Sequence, residues 1–187
     1  MGASVSVLDD SNLNDLFINL RSSYQASTDL DKSQIYSTIQ NLFVTTLLQS
    51  GVDLNEEEAC LLFEKRVRYE GFFNIEELDL SDARLRTLPV VTTVIANLQG
   101  LYLEKNELET LPGQITELQD LVDLYLRENV LIDIPFHINE LPKLEGLYLD
   151  QNLLVLFHKV SNPFSNTFFI NRLRIHFHQS SLLLSRG

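Results

Sequence analysis

Few residues in this chain stand at spacings that do covalent chemistry. The four histidines, His137, His158, His176 and His178, follow no motif that would activate a nucleophile. There is no HExxH, no CxxC, no glycine-rich phosphate loop and no nucleophile elbow. His176 and His178 alternate so as to share one face of a strand, but no third ligand accompanies them, and no metal site is expected. Cys60 is the only cysteine; it falls in an amphipathic stretch, where a small buried thiol is the ordinary reading. The expectation is a protein that is not an enzyme and carries no cofactor. The chemistry that the spacing does offer is recognition. Tyr102, Tyr125 and Tyr148 recur 23 residues apart, and Asp79 holds the same place one interval earlier. Two positions before these stand Glu77, Gly100, Asp123 and Gly146. Two positions after come Ser81, Glu104, Arg127 and Asp150, followed by Asp82, Lys105, Glu128 and Gln151. Tyrosine is enriched where binding energy concentrates. The candidate partner-binding residues are therefore Tyr102, Tyr125 and Tyr148, with Asp79, Glu104, Lys105, Asp123, Arg127 and Asp150 around them.

The elements that position these residues are legible as a repeat. Ile75, Leu98, Leu121 and Leu144 open four blocks of equal length. Each block carries a Leu-x-Leu core, Leu78/Leu80, Leu101/Leu103, Leu124/Leu126 and Leu147/Leu149, whose alternation predicts one short strand with leucines inward and the intervening residue outward. Stacked strands make a parallel sheet. At a strand spacing of about 4.8 Å the three tyrosines form a ladder spanning about 10 Å. Gly100 and Gly146 are expected to leave open space beside it. Asn106, Asn129 and Asn152 follow the strands, where a buried amide satisfies backbone groups of the neighbouring coil. Pro89, Pro112 and Pro135 mark the departure from extended structure, as a turn or the first position of a short helical segment. Ile115 with Leu118, and Ile138 with Leu141, then return to the core. Block one departs from the pattern with Ala83 at the asparagine position and Thr92 at that of Ile115.

This pattern resembles the leucine-rich repeat family in its 23-residue intracellular form with the LPxxIxxL half, over about 85 residues from Ile75. The resemblance implies an α/β fold, a leucine-rich repeat solenoid with short parallel strands on the concave face. It also implies that partners bind on that inner sheet. The function expected is an intracellular protein–protein interaction module, an adaptor or regulatory subunit.

Before the repeats the period is helical. Leu13, Leu16, Phe17 and Leu20 form one apolar stripe, and Ile35, Ile39, Leu42, Phe43 and Leu47 form a second, with a polar break at Ser22–Lys32 between them. Gly51 stands where the second helix would stop. Asn55 with Glu58 makes a capping box for a third helix, whose buried face is Leu62, Phe63 and Val67 and whose terminator is Gly71. Such an all-helical region is expected to cap the open first end of the array. The stretch Leu47–Ala59 also resembles the linker and incoming helix of EF-hand proteins, with Gly71, Phe73 and Glu77 at the loop's glycine, apolar and last-acid positions. A calcium-responsive sensor is the alternative this implies. Arg66 and Arg68, however, stand at the first two ligand positions, with Glu70 in the third, and cations there repel Ca²⁺.

The chain divides on this reading into a flexible N-terminus (1–10), a helical region (11–74), four repeats (75–160) and a tail (161–187). The net charge is −12, and the repeat array carries 15 acids against 6 bases. That excludes nucleic acid as a partner, makes anionic lipid a poor one, and points to a protein partner with a basic patch. A lone cysteine, no Asn-x-Ser/Thr acceptor, no secretory signal and no long apolar run agree on a cytoplasmic location. Gly2 within Met1-Gly2-Ala3-Ser4-Val5-Ser6 fits the N-myristoylation pattern, which implies a second alternative, a peripheral membrane scaffold. One acyl chain binds bilayers only weakly and reversibly. In the tail, Leu173, Ile175 and Phe177 alternate with Arg174 and His176. Residues 161–187 are read as an irregular or strand-like tail, either a terminal cap or a stretch that is not a native cap.

Overall fold

The structure, a computed structural model, describes residues 19–20, 22–23, 26, 29–49, 51–67, 74–95, 97–134, 136–154 and 174–176. Each of the four Leu-x-Leu cores contributes a three-residue strand: β1 (Glu77–Asp79), β2 (Gly100–Tyr102), β3 (Asp123–Tyr125) and β4 (Gly146–Tyr148). A fifth strand, β5 (Arg174–His176), lies beyond β4, and the parallel sheet runs in chain order from β1 to β5. From β1 to β4 the register keeps step with the 23-residue period, and β5 pairs in line with them although Ile175 stands 28 residues after Leu147. Leu78, Leu101, Leu124, Leu147 and Ile175 are successive partners, and so are Asp79, Tyr102, Tyr125, Tyr148 and His176.

The chain returns between strands through 3-10 helices at Val90–Val94, Gly113–Glu117 and Phe136–Glu140. Pro89 (φ −58°) and Pro112 (φ −66°) stand just outside the first two of these, in the capping position, not as their first residue. Their carbonyls accept the first turn's bonds, from Thr92 N–H at 2.9 Å and Ile115 N–H at 3.1 Å. Three-residue turns suffice because only Ile115 and Leu118, or Ile138 and Leu141, need to reach inward, and all four are buried. At the odd position in block one, Thr92 is also buried; its hydroxyl donates to the Pro89 carbonyl at 2.7 Å, so the polar group carries no unpaired cost.

The strand leucines are sealed from solvent, and burying each contributes about 1.5–3 kcal/mol. The asparagines join one coil to the next. Asn129 Nδ2 donates to Leu103 O at 2.8 Å in the previous coil and to Leu126 O at 3.1 Å in its own, while its Oδ1 accepts from Leu108 N–H at 3.0 Å. Asn106 and Asn152 repeat the arrangement. Each amide reaches backward, and block one has no earlier coil to reach. Ala83 is enough there, its N–H being taken by Asn106 Oδ1 at 3.0 Å. The residue before each of these positions, Asp82, Lys105, Glu128 and Gln151, has a left-handed φ of 54° to 57°. The amide bonds hold that turn against a cost of about 1–2 kcal/mol for a residue with a Cβ.

Among the described residues before the array, Asn19, Leu20, Ser22, Ser23 and Ala26 are helical, and α1 (Asp29–Gln49) and α2 (Glu56–Arg66) follow. Ile39, Phe43 and Leu47 of the expected stripe are fully buried, with Ile35 and Leu42 at its margin. Gly51 follows α1 at φ +77°, the left-handed conformation that favours glycine. The capping box at α2 is present, with Glu58 N–H donating to Asn55 Oδ1 at 3.0 Å and Asn55 N–H to Glu58 Oε2 at 2.9 Å. The helices meet through Phe63, whose ring lies 5.1 Å from that of Phe43 and 5.5 Å from that of Tyr36. α1 also packs on the Val90–Val94 segment, and the buried residues of the helices and the repeats form one continuous core.

Within the polar stretch Ser22–Lys32, Ser22, Ser23 and Ala26 are helical and α1 begins at Asp29, while residues 24–25 and 27–28 lie outside the described residues. Two expectations need correction. α2 ends at Arg66, ahead of Gly71. Val67 is extended (φ −118°, ψ 110°), yet its side chain is buried, so it leaves the helix to enter the core. Cys60 is half-buried, not enclosed. Among the described residues no helix is long and apolar enough to cross a membrane.

Candidate functional site

The strand alternation that buries the leucines turns Tyr102, Tyr125 and Tyr148 to the opposite face of the sheet, where they remain partly exposed. Their rings stack. The centroids of Tyr102 and Tyr125 are 4.5 Å apart with planes 8° from parallel, and those of Tyr125 and Tyr148 are 4.3 Å apart at 5°. This spacing is slightly below the usual strand separation of about 4.8 Å, as curvature toward the ring side requires. Each stacked pair contributes about 0.5–1.5 kcal/mol. Partial burial pushes the Tyr102 phenol above its ordinary value, and the nearby Glu77 and Asp123 carboxylates push it the same way. Burial, the hydrogen bond with Tyr148 and Asp123 push Tyr125 strongly upward. At neutral pH Tyr102 and Tyr125 are un-ionised, and the Tyr125 hydroxyl is hydrogen-bonded to its neighbours in the ladder.

The expectation of open space beside the ladder is wrong. A Cβ on Gly146 would meet Asp123 Oδ1 at 2.0 Å and Tyr148 Cε2 at 3.0 Å; one on Gly100 would meet Glu77 Cγ and Tyr102 Cε2, both at 3.4 Å. Both glycines are buried. Each is a niche filled from two sides, by the carboxylate-bearing side chain of the preceding strand and by the tyrosine two residues on.

The charged candidates are not a loose border either. Arg127 Nε lies 3.2 Å from Asp150 Oδ2, so these two form a pair across adjacent strands. Asp79, at the end of the ladder, is held by the Arg66 guanidinium of α2, which also donates from Nη2 to the Ser81 carbonyl at 3.0 Å. Asp79 Oδ1 accepts from Ser81 N–H at 2.8 Å. Partial burial raises the Asp79 carboxyl, but the Ser81 backbone N–H, the Ser81 hydroxyl and Arg66 outweigh it, and the group sits below its usual range. Glu104 is half-buried and its carbonyl accepts from Asp82 N–H at 2.9 Å. Lys105 is exposed on the left-handed turn. The tyrosines and Asp123 therefore stand together, Arg127 and Asp150 stand together, and Asp79 belongs to a clamp between the helical region and the first coil. Sequence reasoning missed that clamp. Its only signal was a cation at the end of an amphipathic helix, and no local pattern points from Arg66 to Asp79.

Arg66 also bears on the EF-hand resemblance, because the side chain at the loop's first ligand position is committed to Asp79 and Ser81. Arg68, Glu70, Gly71 and Phe73 lie outside the described residues, as do Gly2, Leu13, Leu16, Phe17, Pro135, Phe157, His158, Leu173, Phe177 and His178. Among the described residues no group of three or more His, Cys, Asp or Glu is placed to hold a metal ion.

No protein-family model and no curated protein sequence matches the chain. Among solved structures, it is similar to a leucine-rich repeat protein of Leptospira interrogans, at 30% identity and a TM-score of 0.48. That similarity covers 56% of this chain and 26% of the other. It is also similar to internalin C2 of Listeria monocytogenes, at 22% identity and a TM-score of 0.40, over 62% of this chain and 57% of the other. The chain thus spans about a quarter of the first of these and just over half of the second. Coils of 23 residues, one parallel strand in each and a buried asparagine between neighbours give the chain the fold of a leucine-rich repeat solenoid, preceded by a helical region.

Proposed function

We propose that the chain is a non-catalytic protein-binding module, an adaptor or regulatory subunit of the cell interior that holds a protein partner on the tyrosine face of its sheet. The observation that carries this reading is the ladder Tyr102–Tyr125–Tyr148, three stacked and partly exposed rings on a rigid sheet, with carboxylates beside them. Rigid aromatics lose little conformational entropy on binding and often dominate interface energy. The acidic composition of the repeats favours a partner with a basic patch.

The test is affinity purification from cells with the natural sequence and with Tyr102→Ala/Tyr125→Ala, read by quantitative mass spectrometry. Far-ultraviolet circular dichroism confirms that the variant is folded. A specific partner should be depleted about tenfold or more, since losing two central tyrosines costs about 2 kcal/mol or more each. Undiminished recovery of every partner by a folded variant excludes the ladder as the binding face.

A further inference from the structure

The ladder face repeats with a period longer than one coil. Glu77, Gly100 and Tyr102 form one unit, in which the Glu77 side chain and the Tyr102 ring both close over the glycine at 3.4 Å from its Cβ position. Asp123, Gly146 and Tyr148 form a second unit of the same make, two coils further along. Tyr125 stacks between the two tyrosines. The strands hold three carboxylates on this face. Asp79 is neutralised by Arg66, whereas no described cation pairs with Glu77 or Asp123. Just beyond the strands, Asp150 is neutralised by Arg127. Among the described residues, Glu77 and Asp123 are thus the strand carboxylates without a paired cation, and both belong to the repeated unit; Glu104, just beyond β2, has no described cation either.

Two strand spacings separate those carboxylates, about 9.6 Å at the backbone. A partner that satisfies both needs a translational repeat close to that length with equivalent side chains on one side. A polyproline-II helix has three residues per turn and a rise of about 3.1 Å, so every third side chain returns to the same side after about 9.3 Å. A β-strand returns a side chain to one face every second residue, at about 6.6 Å or about 13 Å, and misses both units. An α-helix reaches about 10.5 Å only between residues seven apart, and its diameter of about 10–12 Å is wide for strands of three residues. A polyproline-II backbone also leaves its carbonyls free; the ladder hydroxyls hydrogen-bond to one another, which leaves the row at most one proton for a partner's carbonyl. The stacked rings turn their faces to one another, so a partner's proline rings pack along a ridge of ring edges and not on open aromatic faces.

We propose that the ladder face takes a proline-rich polyproline-II segment of a protein partner with a basic residue at every third position. Its cations pair with Glu77 and Asp123, and its prolines pack along the ring edges of Tyr102, Tyr125 and Tyr148. This rests on the tyrosine face being the binding face and adds the partner's conformation and charge pattern.

The probe is a fluorescein-labelled twelve-residue peptide of four Pro-Pro-Arg units. Its companion is an isomer of the same composition with the four arginines contiguous. Anisotropy is read with the full chain at low and at near-physiological salt. The repeating peptide should bind at least tenfold more tightly than the isomer. Glu77→Gln/Asp123→Asn should remove at least tenfold of that affinity, whereas Glu117→Gln on the opposite side should leave it unchanged. Equal binding of the two peptides would reduce the effect to unspecific attraction and overturn the proposal. No binding of either, or binding insensitive to Glu77→Gln/Asp123→Asn, overturns it as well. If the peptides fail while Tyr102→Ala/Tyr125→Ala still depletes a cellular partner, the segment class is wrong and the binding face stands. If both fail, the face itself is wrong.

Discussion

The Asp123 carboxylate lies over Gly146, with Oδ1 2.0 Å from where a Cβ on that residue would stand. Gly100 presents the same niche to Glu77 with contacts no closer than 3.4 Å. Gly100→Ala should therefore be tolerated within about 0.5 kcal/mol, because ordinary contact distance and reduced freedom of the unfolded chain offset each other. Gly146→Ala must turn Asp123 and shift the Tyr148 ring, and should cost about 1–2 kcal/mol more. Urea denaturation of the four members of the Gly146→Ala, Asp123→Ala cycle measures it. If Asp123→Ala does not recover most of the loss, the clash is not its cause.

Asn129→Ala removes three buried hydrogen bonds and leaves Leu108 N–H unpaired between coils, while Leu103 O and Leu126 O keep their bonds from Asn106 and Asn152 Nδ2. A buried group left unpaired costs about 1–3 kcal/mol, so a total of roughly 2 kcal/mol or more is expected. Ala83→Asn is the counterpart: with no coil behind it, an added amide should bring no stability. Thermal unfolding of both variants compares the two, and a loss under about 1 kcal/mol for Asn129→Ala contradicts the ladder's role.

Arg66→Ala should loosen α2 from the first coil by releasing Asp79 and the Ser81 carbonyl. The expected cost is about 1 kcal/mol at neutral pH, modest because Asp79 is half exposed and Arg66 Nε is buried without a hydrogen-bond partner. The folded-state value of Asp79 lies below its ordinary 3.8. The clamp's contribution is therefore fully present above pH 3.8 and is lost as pH falls through the depressed folded value. The gap between the natural sequence and Arg66→Ala in urea should narrow under acid conditions; a gap independent of pH would mean that Asp79 is not the partner.

Tyr102 and Tyr125 have folded-state values raised above the ordinary 10.0. Their un-ionised form is favoured by folding, so this stabilisation is intact below pH 10.0 and is lost as pH rises through the folded values. Absorbance at tyrosinate wavelengths should show a late-titrating fraction that merges with alkaline unfolding. Tyr125→Phe should remove part of that fraction and keep the stack. A single transition near the ordinary value for all tyrosines would show that the ladder hydroxyls are not shielded.

The repeat was legible in the sequence because its cause is local and periodic. A coil that buries Leu101, Leu103, Leu108, Ile115 and Leu118 must place the same types at the same offsets each time, so the 23-residue period records the core, the strand and the turn together. The outward direction of the tyrosines followed from strand alternation. The capping box at Asn55 was equally readable, since both of its partners lie three residues apart. What failed were inferences about space and charge. Glycine reads as an empty place in a sequence, yet Gly146 is where Asp123 and Tyr148 converge from different strands. Arg127 reads as a free cation beside an aromatic row, yet Asp150 lies across the sheet from it.

The sequence by itself determined the solenoid, the strands, the asparagine positions and the face on which the tyrosines stand, because each is set by contacts repeated at a constant interval. Only the tertiary structure decided how the charges on that face are paired. Asp79 is claimed by a helix thirteen residues earlier and Asp150 by Arg127, while Glu77 and Asp123 are seated over glycines of the next strand. Pairings of this kind depend on distances across strands and between elements. Residue types constrain such distances only weakly, since a side chain's partner is chosen by where neighbouring backbones place it.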